Sequence, residues 1–355
     1  MKIYQKFIVY NYLKNFFIIF FALELFYVGL DLLTNYHKLP NSANLQILYI
    51  MFQAMTAVNY LLPLSVVFAM IVTKVAMIKS NELISMYALG LGKDDLVKPL
   101  FVSSMLITVI YIVFNFTPFS YAREYGQNLL KFSQISTNTK DLFLKNGSEY
   151  IFFEKLDPIR KIATNIRIFS VKNGDLRYII NAEKGYYKEK NWILYNVVKT
   201  VKRKVETLDD RGLEIIKYST LETLENFKPK IIDNIYNGKF NLSILDAIEA
   251  LKFFNAQELN TDRIRTIIFS QLFLPVFAPF LVLIFFYKVP MISRYKNLTL
   301  ISFSLAFITV ITWGILFLLN KLSFNLVLLP EIGIMIPIFF LGIYALFIYV
   351  RDKKI

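Results

Sequence analysis

Charged residues are scarce in the apolar parts of this chain, and two groups of them are spaced so that they could do chemistry. Glu24, Asp31 and Lys38 recur every seven residues, which on a helix continuing toward Pro40 places them on nearly one face. Ionisable groups inside a membrane span usually face a protein interior or a cavity, which makes Glu24 the strongest binding candidate of the three. Asp31 and Lys38 fall at or beyond the interface, where ordinary solvated residues are the competing reading. The second group is Ser80-Asn81-Glu82-Leu83-Ile84-Ser85-Met86-Tyr87-Ala88-Leu89-Gly90. It reads as a short helix capped by Asn81 or Ser80, with Glu82 favourable in its first turn and Gly90 ending it. Such a segment either ties two spans together at the membrane surface or docks into a partner, with Leu83 and Met86 as apolar contacts beside Glu82.

Enzymatic constellations are absent. Gly90-Leu91-Gly92-Lys93-Asp94 superficially resembles a phosphate loop but lacks the G-x-x-x-x-G-K-[ST] spacing and the hydroxyl that would hold magnesium. With no cysteine in the chain there are no disulfides, thiolate metal sites or cysteine nucleophiles, and a single His37 argues against a histidine metal site or a Ser-His-Asp triad. No catalytic residue, metal site or cofactor is expected, and any nucleotide-driven work falls to a partner chain.

The elements that must position these residues are membrane helices. The chain has 355 residues, 56% of them apolar and only 19% charged, against about 25% charged in a soluble domain. Six apolar stretches are long enough to span: about Phe16 to Leu33, Tyr60 to Ile78, Leu100 to Phe119, Thr266 to Tyr287, Leu298 to Leu319 and Leu326 to Val350. Met1 to Lys14 is basic, and no small-residue cleavage site follows, so the first span is expected to be retained. Pro63, Pro275, Pro279 and Pro337 fall inside spans and predict kinks.

Between the third and fourth stretches, Tyr121 to Arg265 holds 25 of the 40 basic and 19 of the 26 acidic residues, so that block must lie in water. The expected organisation is three spans in 1–120 with a surface helix near 80–90, a domain over 121–265, and three spans in 266–355. Lys2, Lys6, Lys14, Lys74, Lys79, Lys93, Lys98, Lys288, Arg294, Lys296, Arg351, Lys353 and Lys354 fall in one set of short connections, and only Lys38 and Lys321 in the other. The positive-inside rule then places both termini in the cytoplasm and the large domain across the membrane. This also gives the net charge of +14 a topological origin, which argues against nucleic acid as a partner.

Within the large block the pattern changes to short runs rich in Ile, Val, Tyr and Phe: Glu149 to Glu154, Ile162 to Val171, Leu176 to Asn181, Trp192 to Val198 and Leu213 to Tyr218. Asn173-Gly174 favours a tight hairpin, and Asn146-Gly147 precedes another strand. An antiparallel β sandwich or jelly roll is expected, with Trp192 as a core aromatic. Ser243 to Phe254 has apolar residues at helical spacing behind a Ser243/Asp246 capping box, so a short helix leads back to the membrane.

The stretch Asn81-Glu82-Leu83-Ile84-Ser85-Met86-Tyr87-Ala88-Leu89-Gly90 resembles the S-E-L-x-x-M-x-A-x-G coupling segment of the lipopolysaccharide-export permeases LptF and LptG, with Asn81 in place of the usual serine. Ala182 to Leu194 and Asn241 to Asp246 are similar to further stretches of that family, and the likeness covers essentially the whole chain. The resemblance implies a jelly-roll-like periplasmic domain and a multi-pass protein of a Gram-negative inner membrane. It implies a heterodimer with a paralogous permease, a cytoplasmic ABC ATPase dimer docking on the coupling segment, and a periplasmic β-jelly-roll bridge protein. The cargo it implies is lipopolysaccharide, whose phosphate Lys38 would meet. The competing readings are a membrane-anchored sensor or scaffold, for which the tail Arg351 to Ile355 leaves no signalling domain, and a secondary transporter, for which several midplane carboxylates would be needed where Glu24 stands nearly alone.

Overall fold

A computed structural model describes residues 2–134, 139–146, 148–172, 174–202, 212–225, 227–229, 241–256, 260–290 and 297–352. Met1, Gly147, Asn173, Arg294, Lys296, Lys353, Lys354 and Ile355 of the expectations above lie outside them. The chain forms two compact units, one of Met1–Gly126, Ser243–Leu251 and Asn260–Ile355, the other of Gln127–Leu242 and Lys252–Leu259.

The described elements of the first unit are helical, and two helices, Ala122–Phe132 and Ile244–Ala256, run on into the second unit after Gly126 and Leu251. Helices α1 (Ile3–Asn35), α2 (Ala43–Lys79), α3 (Glu82–Ala88), α4 (Lys93–Phe114) and α5 (Ala122–Phe132) precede the sheet; α6 (Ile244–Ala256), α7 (Asp262–Leu272), α8 (Phe277–Lys288), α9 (Leu298–Phe324) and α10 (Ile336–Asp352) follow it. Among the described residues six helical segments are long and apolar enough to cross a membrane, three before the strands in the chain and three after them. The second and fourth are the most buried and the first and fifth the least. The core is therefore α2 with α4 and α8, where Val66, Met70, Val97, Phe277, Val282 and Phe286 are buried together. At 37 residues, α2 rises about 55 Å and outruns a hydrocarbon layer of about 30 Å.

Proline breaks the fourth span, as expected: α7 stops at Leu272, a 3-10 turn runs Leu274–Val276 around Pro275, and α8 resumes at Phe277. Pro63 stays inside α2, Pro279 falls in the first turn of α8, and Pro337 follows a π-turn at Glu331–Met335. Lipid gives helices no hydrophobic reason to associate with one another, so polar contacts help to set their register. Tyr12 Oη donates to the Val66 carbonyl at 3.1 Å, Asn15 Nδ2 to Thr73 Oγ1 at 2.9 Å, and Tyr111 Oη to Asn59 Oδ1 at 2.8 Å.

The second unit holds one antiparallel sheet of β1 (Thr139–Asn146), β2 (Glu149–Asp157), β3 (Ile162–Lys172), β4 (Asp175–Lys188), β5 (Asn191–Lys202) and β6 (Leu213–Thr223), neighbours in that order. The expected antiparallel all-β domain is present. Its described strands form a sequential meander within one sheet, in place of a jelly roll's crossovers between two. Short connections between long adjacent strands favour such pairing of neighbours. Burial alternates with the period of two that a strand requires: Ile151 and Phe153, Ile166 and Ile168, Ile180 and Ala182, Trp192 and Leu194 all point to one core. Trp192 is fully buried there, its Nε1 donating to the Phe227 carbonyl at 2.7 Å. Gly174 has φ of +82° in the β3–β4 hairpin, which a tight turn requires.

One row across this sheet is irregular. The paired registers pass over Asp141, Glu154, Asn165, Glu183, Asn196 and Ser219, one residue in each successive strand. On every second strand the residue in that row has positive φ: Asp141 at 52°, Asn165 at 49° and Asn196 at 53°. Asn and Asp tolerate this conformation better than other side chains. Asn165 donates to Glu154, and Asn196 Nδ2 to Glu183 Oε2 at 2.8 Å, so side chains take up bonding where the ladder lapses.

Candidate functional site

The segment from Asn81 to Gly90 folds as a built knob between α2 and α4. Asn81 does not cap α3 with its side chain; it adopts φ of 62°, the left-handed conformation that ends α2 and redirects the chain. Ser80 is no cap either, since its Oγ donates back to the Ala76 carbonyl at 3.1 Å. Asparagine visits this conformation more readily than serine, which gives the departure from the usual residue a backbone reason. At the other end Gly90 has φ of +82°, Gly90 N donates to the Tyr87 carbonyl at 2.9 Å and Leu91 N to the Met86 carbonyl at 3.2 Å. These two bonds are the Schellman closure, with Leu91 and Met86 both packed on the core.

The faces of α3 are sorted differently from the sequence expectation. Leu83 is 1% exposed, and with Met86 and Tyr87 it anchors α3 to its own bundle. Leu83 is therefore withdrawn from any docking surface. Burial pushes the Tyr87 phenol up to about 12, so it stays protonated at ordinary pH. The outward stripe is Asn81, Ile84, Ser85, Ala88 and Leu89, positions one or two turns apart, with Leu89 81% exposed. Glu82 is half-buried at its edge and has no polar partner among the described residues.

The three seven-spaced residues do not converge. Asp31 accepts from Tyr49 Oη on α2 and from Asn35 Nδ2 at 3.1 Å. Glu24 is half-buried and Lys38 exposed, each without a polar partner among the described residues. The α-helix stops at Asn35, and Lys38 lies in the 3-10 turn Tyr36–Lys38, so the expected continuous helical face ends before it.

A cationic pair that the sequence reading missed lies at the opposite end of the bundle from α3. Arg123 Nη1 donates to Tyr60 Oη at 3.1 Å; the Tyr60 ring meets Phe317 edge-on at 6.2 Å; and Lys321 Nζ lies 5.4 Å from the Phe317 ring. Thus α2, α5 and α9 bring two like charges to one aromatic pair, with Tyr27 of α1 packed 6.5 Å from Tyr60. Among the described residues neither cation has a carboxylate at ion-pair distance. Arg123 and Lys321 are 198 positions apart, so nothing local in the sequence joins them.

Other charges serve the scaffold. Arg265 at the start of the fourth span pairs with Asp262 and with Glu331 at the start of the sixth. Tyr121 donates to Asp246 and accepts from Ser243 N at 3.3 Å, while Asp246 N donates to Ser243 Oγ at 3.2 Å. Half of the expected capping box is thus present, and the tyrosine hydroxyl occupies the place of the other half. Burial, and beside it the Asp246 carboxylate, push the Tyr121 phenol well above its ordinary range. Lys74, counted above with the connections, is buried inside α2. Among the described residues no group of three or more His, Asp or Glu side chains could hold a metal ion.

The family described as Lipopolysaccharide export system permease LptF/LptG matches residues 6–351. No curated protein matches the chain.

Proposed function

Because the chain belongs to the lipopolysaccharide export permease family LptF/LptG, we propose that it is one of two paralogous permeases of an ATP-driven exporter. It takes lipopolysaccharide out of the inner membrane and passes it to a periplasmic bridge protein. A separate cytoplasmic ATPase dimer supplies the hydrolysis. The observation that carries this reading is α3: a helix set off from α2 by the left-handed turn at Asn81, closed at Gly90 and anchored by Leu83, Met86 and Tyr87, yet presenting Ile84 and Leu89 outward. A short rigid element with exposed apolar side chains at a loop is the kind of surface a groove in a partner can grip. Glu82, at the edge of the stripe, would add a charge contact. Purifying the chain in mild detergent from its own host tests the assembly: an ATPase and a second permease in stoichiometric amounts are expected, and their absence refutes it.

The cargo end of the proposal is the Arg123–Lys321 pair, with exposed Lys38 as a third cation. Two cations without carboxylate partners among the described residues suit the phosphates of a lipid head group, Arg as a planar fork and Lys as a point charge. Glu24 and Asp31 would line the same path. Lys321→Glu should weaken lipopolysaccharide photocrosslinking by roughly thirtyfold, since hydrogen bonds to charged groups contribute about 2 kcal/mol. Unchanged crosslinking would return Lys321 to the role of an interfacial residue.

Topology follows from the basic connections: cytoplasmic termini and a periplasmic β unit. Lys190→Cys, at the exposed β4–β5 turn, should react with an impermeant maleimide once the outer membrane is permeabilised. The chain has no cysteine of its own, so labelling reports that one position, and protection of Lys190→Cys would invert the arrangement.

A further inference from the structure

Lys74 is 1% exposed, about a turn and a half before the end of α2. Its Nζ donates to the carbonyls of Phe286 and Val289, the latter at 2.8 Å, and lies 4.2 Å from the Phe286 ring. These carbonyls close the last turn of α8, where acceptors have no intrahelical donor and the helix dipole is negative. A buried ammonium persists only where such partners satisfy it. On the same turn, Tyr287 Oη donates to Asp94 Oδ1 at 2.8 Å, and Tyr349 Oη of α10 donates to Asp94 Oδ2 at 3.3 Å. The two tyrosine rings meet edge-on at 6.3 Å.

One turn of α8 is thus gripped twice: by Lys74 from α2, before α3 in the chain, and by Asp94 from α4, after it. We propose that Lys74 and Asp94 are positioning residues that clamp the α2–α3–α4 segment to α8 and α10, so that displacement of α3 carries those two helices with it. This rests on α3 being the ATPase contact. Apolar packing alone lets helices slide in lipid, whereas paired polar contacts fix their register, and coupling between distant sites travels through contacts of this kind.

The test uses the full complex of this chain, its partner permease and the ATPase in lipid nanodiscs. An environment-sensitive fluorophore is placed either on Ser80→Cys, at the α2–α3 junction, or on Val350→Cys, beside Tyr349 on α10. In the otherwise unaltered chain both labels should respond to ATP. In Lys74→Met the Ser80 label should still respond, while the Val350 response falls about tenfold, within the usual range of coupling; Lys74→Arg, which keeps the cation, should restore most of it. Should Lys74→Met fail to assemble, Tyr287→Phe removes one hydroxyl from the Asp94 grip and carries the same comparison. A full Val350 response in the variants overturns the clamp while leaving the docking reading intact. No ATP response at Ser80 in the unaltered chain refutes the docking reading, and the clamp with it.

Discussion

Leu89→Asp should release the ATPase from the permease, weakening the association by at least about 2 kcal/mol, or roughly thirtyfold. Leu89 is 81% exposed and Ile84 39%, and buried Leu83 with half-buried Met86 and Tyr87, all packed on the core, hold both in place. An aspartate there puts a charge into the centre of the proposed apolar contact without touching the helix closure at Gly90. Membrane insertion and the β unit should be unaffected. The measurement is ATPase stoichiometry in the purified complex together with lipopolysaccharide release per ATP; normal values for both would remove the outward stripe from the interface. Glu82→Lys should have the smaller effect, because Glu82 stands at the edge of the stripe, where charges affect association rate more than lifetime.

Trp192→Ala should destabilise the β unit by about 3 to 5 kcal/mol. The indole is fully buried against Phe153 and Tyr187, at ring separations of 5.3 and 5.8 Å. Its loss also leaves the Phe227 carbonyl without its 2.7 Å donor, a second penalty on top of the cavity. Domains of this kind are stable by only about 5 to 15 kcal/mol, so the variant should be cut by protease within the β unit while its membrane helices stay intact. Trp192→Phe keeps most of the packing and should lose about 1 to 2 kcal/mol. Equal protease resistance in all three proteins would contradict the described core.

The parts of this architecture that were legible in the sequence are those set by local periodicity. Six spans follow from apolar length, the helix after Ser243 from its spacing, and five of the six strands from Ile, Val and aromatic runs. Strand β1 was missed because Lys140, Asp141, Lys145 and Asn146 make Thr139–Asn146 look like loop. On α3 the obstacle was geometric: Leu83, Met86 and Tyr87 form one apolar stripe and Ile84 and Leu89 another, and periodicity does not say which faces the bundle. Lys74 was read as a connection charge because it lies only a turn and a half from the end of α2; only the proximity of α8 turns it into a buried helix cap. The Arg123–Lys321 pair depends on α5 and α9 meeting at Tyr60 and Phe317, a long-range fact that no window of sequence contains.

The irregular row through Asp141, Asn165 and Asn196 bears on how the sheet meets other chains. A flat, unbroken edge strand templates the stacking of identical copies and is an aggregation hazard. Among the described residues β1 has β2 on one side and no strand on the other, and Asp141 with positive φ interrupts it near its start. Only the stretch 142–146 then offers a regular outer ladder. That length can accept a single short strand from another protein, yet it falls short of the six or seven residues that seed a growing fibre. The backbone that breaks the ladder at Asp141 therefore also limits polymerisation along this edge.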